Sequence, residues 1–63
     1  MSRAPDETRS KLLHAAARLI RDQGGARLTL DGVAEGARVS KGGLLHHYPT
    51  KDALVRGLVQ ELA

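Results

Sequence analysis

The stretch VSKGGLLHHYPTKDAL, residues 39–54, decides how this chain is read. Pro49 stops a helix, because it lacks an N–H and pushes the residue before it out of the helical region. Ser40 and Thr50 carry hydroxyls suited to helix N-caps, so a short helix over Lys41–His47 stands between two caps. With Leu44 placed at zero and steps of about 100° per residue, Ser40 and Tyr48 fall about 40° to either side. Leu44 and Tyr48 therefore share the face to bury, and Val39 enters it just before the cap. Gly42 and His46 stand opposite, with Gly43 and Leu45 at their shoulders and Lys41 and His47 toward the margins.

Two features of this helix cost stability. Gly42 and Gly43 each weaken it by roughly 1 kcal/mol relative to alanine. On an outward face their use is close approach of the backbone to another surface. A DNA major groove admits an α-helix, small residues at the helix start let it sit deep, and Leu45 can meet a thymine methyl. The second cost is a lysine after each cap, Lys41 and Lys51, where the helix dipole disfavours positive charge by ~0.3–1 kcal/mol. A phosphate at such an end reverses the sign, since backbone N–H groups, the capping hydroxyl and the ammonium then address one anion. The repetition at both lysines suits two phosphates flanking a groove.

Upstream, Leu12, Leu13, Ala16, Ala17, Leu19 and Ile20 recur at helical spacing and predict an apolar stripe. Asp6 suits the N-cap of that helix, with Glu7 in its first turn, and Gly24-Gly25 ends it through a left-handed residue. Thr29 suits a second cap, followed by Leu30, Val33, Ala34 and Ala37 as an inward face and by Asp31 in the dipole-favoured first turn. Gly32 inside this helix costs about 1 kcal/mol. Downstream, Leu54, Leu58 and Leu62 fall at i, i+4 and i+8 of a helix capped by Thr50. The class is all-α, with residues 1–5 as a flexible basic arm and residues 6–63 as one domain.

Sixty-three residues lie near the lower limit for a single unaided core, and the chain has no cysteine to staple it. The net charge of +3 is modest, but its placement is not even. Arg38, Lys41 and Lys51 fall in a stretch without an acid that also holds His46 and His47, which suits a polyanion. No apolar run approaches the ~20 residues that span a bilayer, and no secretory segment follows Met1, so the expectation is a cytoplasmic protein with no membrane partner. His46 and His47 are neighbours on a helix and point about 100° apart, and the i, i+4 spacing of helical zinc sites is missing. His14 fits an ordinary helix surface. Neither a metal nor another cofactor is expected, and so small a core leaves little room for a closed catalytic pocket. His47, on the basic margin, suits a phosphate hydrogen bond, and His46 the groove floor. The rival reading is a protein-docking module that uses the apolar part of the third helix with Leu58 and Leu62.

Taken in order, LLHAAARLIRDQG, LTLDGVAEGARVS and VSKGGLLHHYPTKDAL resemble the N-terminal DNA-binding domain of the tetracycline-repressor (TetR) family of transcriptional regulators. The resemblance covers nearly the whole chain and is most specific in the last run. It implies a homeodomain-like three-helix bundle whose second and third helices form a helix-turn-helix, plus the start of a fourth, linking helix. It implies sequence-specific binding of double-stranded DNA by a ligand-responsive regulator, most often a repressor. It places Lys41, Gly42, Gly43, Leu45 and His46 against the major groove, and Thr29, Ser40, Lys41, His47 and Lys51 on phosphates. It also implies a homodimeric parent on a palindromic operator, with a small-molecule inducer bound by a domain expected to lie outside these residues. The chain departs from the family pattern at Arg38, where glycine is usual, at Gly43, where a hydroxyl is common, and at Leu45, where tyrosine is common.

Overall fold

The computed structural model describes the backbone of residues 4–62 and the side chains of residues 7–61. Four α-helices follow one another: α1 (Ala4–Gln23), α2 (Leu30–Ala37), α3 (Lys41–His47) and α4 (Lys51–Leu62), with a 3-10 turn at Gly25–Arg27 between the first two. No strand occurs among the described residues, so the all-α class holds. The expected limits of the short helix, Lys41 and His47, are those observed.

α1 starts at Ala4, so Asp6 lies inside its first turn and is not the cap. Pro5 is compatible with that start, because an N–H in the first turn has no helical partner to lose. Of the expected arm, Ala4 and Pro5 are thus helical, and residues 1–3 lie outside the described ones. The buried stripe of α1 is Leu12, Leu13, Ala15 and Ala16, while Ala17 and Ile20 are exposed, contrary to the periodicity. The reason is the seam with α2, where small residues on both sides allow close approach. Ala15 and Ala16 on α1 and Ala34 and Ala37 on α2 are all buried, and a Cβ on Gly36 would lie 3.6 Å from the Ala15 Cβ. The stripe turns toward that seam.

Three hydroxyl caps follow one pattern. Thr29 Oγ1, Ser40 Oγ and Thr50 Oγ1 accept from the Gly32, Gly43 and Ala53 N–H groups, each at 3.0 Å. α1 ends before Gly24, whose φ of 87° is positive as expected, but its ψ of 157° places it in an extended conformation reserved for glycine, not in the left-handed helical one. Leu28, between the 3-10 turn and α2, is buried to 2% exposure although no helical period marks it.

α2 ends in a Schellman motif. The Val39 N–H donates to the Ala34 carbonyl at 3.0 Å and the Arg38 N–H to the Glu35 carbonyl at 3.1 Å. Arg38 itself is left-handed, at φ 59° and ψ 40°, a conformation that costs a side chain bearing a Cβ roughly 1–2 kcal/mol. Replacement by glycine relieves this but loosens the unfolded chain by about 0.4–1 kcal/mol. Arg38→Gly should therefore raise stability by up to about 1 kcal/mol, a few degrees of thermal midpoint in a domain of this size. An unchanged or lower midpoint by calorimetry would show that the Arg38 side chain stabilises the turn in another way.

Leu12, Val33, Leu44 and Leu54 have no exposed surface and form the centre, closed by Leu13, Leu28, Tyr48 and Leu58. Val39, Leu30 and Leu19 pack at its margin. Leu62 continues α4, but its side chain lies outside those described. No described helix is long and apolar enough to cross a membrane.

Candidate nucleic-acid interface

Burial of Leu44 and Tyr48 rolls α3 so that its other face points outward. Gly42, Leu45 and His46 are exposed, and Gly43 is half-buried. A Cβ built on Gly42 would meet nothing within 4 Å, so the protein itself does not require glycine there. Gly43 differs. A Cβ there would lie 3.1 Å from Ser40 Oγ and 3.2 Å from Val39 Cγ1, so a side chain crowds the helix's own cap. The two glycines that the sequence presents as a pair have separate causes, one internal and one open to an outside surface.

The margins of α3 also differ from each other. His47 is half-buried, with its ring centroid 5.5 Å from that of His46 in an edge-on arrangement and 6.4 Å from Tyr48. Lys41 Nζ lies 2.9 Å from Asp31 Oδ1 on α2. Both side chains are well exposed, so the pair contributes only ~0–1 kcal/mol to folding stability. Lys51 forms no ion pair among the described residues, and the adjacent Asp52 is bound to Arg56 at 3.1 Å. The two lysines that follow caps are therefore not equivalent, a distinction that sequence reading missed. Asp31 gave a signal, an acid in the first turn of α2, but its helix-dipole role explained it without a partner. The capping hydroxyls of Thr29 and Ser40 accept within the protein and keep their hydrogens to donate outward.

Tyr48 anchors this surface. Its ring is 8% exposed and runs against α4 where Gly57 leaves room. Burial pushes the phenol above its ordinary value, with Arg9 opposing and Glu61 reinforcing the shift. Beside it opens a cleft of about 440 Å³ lined by Arg9, His47, Tyr48, Arg56 and Glu61. No group of three or more potential metal ligands is present among the described residues.

The docking rival is corrected in one respect. Leu58 is 7% exposed and belongs to the core, so it contributes only to the floor of an apolar groove there. The exposed apolar side chains on that side are Ile20, Val55 and Val59.

A capped α2, a three-residue connection over 38–40 and an outward, sparsely furnished α3 define a helix-turn-helix module. The family described as bacterial regulatory proteins of the tetR family matches residues 12–58. The chain belongs to that family. It is 39% identical over 56 residues to the HTH-type transcriptional regulator TtgR of Pseudomonas putida, covering 89% of this chain and 27% of that protein. The probable HTH-type transcriptional regulator ArpR, also of Pseudomonas putida, gives the same identity and coverage. The nucleoid occlusion factor SlmA of Marinomonas sp. (strain MWYL1) is 32% identical over 60 residues, 95% of this chain and 30% of that protein. The chain thus spans less than a third of each of these relatives. No solved structure gives a significant match.

Proposed function

We propose that this domain binds double-stranded DNA sequence-specifically by laying α3 in the major groove, as the reading head of a ligand-responsive transcriptional regulator that represses. The observation that carries it is Gly42: a helix-weakening residue on an exposed face, with open space where its side chain would be. Lys41, Gly42, Gly43, Leu45 and His46 face the bases, and Thr29, Ser40, Lys41, His47 and Lys51 address phosphates. The parent works as a cytoplasmic homodimer on a palindromic operator whose half-sites lie about one helical turn, or a multiple of it, apart. Its inducer and dimer contacts belong to the larger part of the protein that the relatives possess. The role is recognition, not catalysis.

The experiment is a salt titration of duplex binding. A few phosphate contacts make affinity fall steeply with salt, with a slope near one log unit per contact. Tight, salt-insensitive binding by the monomer would overturn the proposal. Within that titration, Lys51→Ala should weaken binding to all sequences about equally and flatten the slope by roughly one. A loss confined to one sequence would assign Lys51 to base reading.

A further inference from the structure

Lys41 and Lys51 both open a helix after a capping hydroxyl, yet among the described residues only Lys41 is held by an acid, Asp31, at 2.9 Å across the connection between α2 and α3. Lysine is a point charge on a flexible four-carbon stem, and beside a duplex the nearest strong acceptor is a phosphate. A carboxylate anchored on a neighbouring helix changes that outcome twice. It restrains the ammonium through one of its three donors, leaving two to be aimed, and its own negative charge repels phosphate. We propose that Asp31 is a positioning residue for base reading: it withholds the Lys41 ammonium from the DNA backbone and presents it to a base edge. In the major groove the acceptor pair that fits a lysine is guanine O6 and N7. This rests on α3 being the groove helix and removes Lys41 from the phosphate contacts that the sequence suggests.

The competing account is that Asp31 serves only the α2 dipole, as acids in a first turn do. That account predicts lower stability on neutralisation and no change in sequence preference. The test starts from a duplex selected by the unsubstituted protein from a random pool, with a scrambled duplex of equal length as reference. Asp31→Asn should bind the scrambled duplex several-fold more tightly and should reduce the selected-to-scrambled ratio by about tenfold, the order that one base contact supplies. Its salt slope on the selected duplex should steepen by about one as Lys41 moves to a phosphate. Asp31→Glu, which keeps the carboxylate, should restore most of the ratio. Lys41→Ala should lower the ratio alone, and adding Asp31→Asn to it should lower the ratio no further.

An unchanged ratio with only a lower thermal midpoint would overturn the inference and leave the dipole role. An unsubstituted protein that binds no duplex at all would overturn the groove reading itself. The two failures are distinct, because the first is measured in a protein that still selects a site.

Discussion

Gly42→Leu is expected to abolish duplex binding while helical content stays the same or rises. Leucine is favoured over glycine in a helix by roughly 0.6–1 kcal/mol, and beyond its own helical turn no atom lies within 4 Å of the new Cβ. The substitution is therefore harmless to the fold, and any loss must arise on the outer side. With α3 laid in the groove as proposed, a leucine would stand between its backbone and the groove floor and lift the helix out of reach of the bases. A good side-chain pairing with a base edge supplies about 1–3 kcal/mol of discrimination, and the lift removes several such pairings at once. Circular dichroism and anisotropy with a labelled duplex separate the two effects. Retained affinity would place the DNA on some other surface, and the proposed function would lose its central support.

Gly57→Ala is expected to lower stability by up to about 2 kcal/mol, although the same change in an open helix would raise it. Its Cβ would lie 2.7 Å from Tyr48 Cε1 and 3.1 Å from both Cζ and Oη, so the ring must move. Overpacking of this kind costs ~1–3 kcal/mol, which the helix preference of alanine, about 1 kcal/mol, only partly offsets. In a domain this small that is a fall of several degrees in thermal midpoint. The chain has one tyrosine and neither tryptophan nor phenylalanine, so ultraviolet absorbance and fluorescence report on this ring alone. Burial raises the phenol above its ordinary value of 10.0. The neutral ring's stabilisation is therefore complete below that value and lost as pH rises through the folded one. Displaced toward solvent in Gly57→Ala, Tyr48 should titrate nearer its ordinary value. An unchanged titration with an unchanged midpoint would mean that the ring is not held against α4.

The sequence is most legible where local chemistry is decisive. Three hydroxyl caps, the proline after α3 and the opposition of Leu44 and Tyr48 to Gly42 and His46 are consequences of a few adjacent residues, and all appear as expected. Arg38 was legible as an anomaly, since glycine suits a left-handed turn, and its φ of 59° realises the strain. Periodicity was less reliable on α1. A period fixes which residues share a face but not how far the neighbouring helix reaches round it, and Ala15 displaced Ala17 from the stripe for that reason. Leu28 had no period to announce it, because a residue buried from a loop answers to whatever packs over it.

What the chain order settles is therefore the set of α-helices, the ends of α2 and α3, the start of α4 and the outward side of α3, because caps, breakers and helical spacing act within one turn of themselves. Contacts between helices belong to another level. Whether Lys41 meets Asp31 and whether Gly57 makes room for Tyr48 depend on how two elements are set against each other. Packing distances of this kind are fixed by the whole core together, and no short window of sequence contains them.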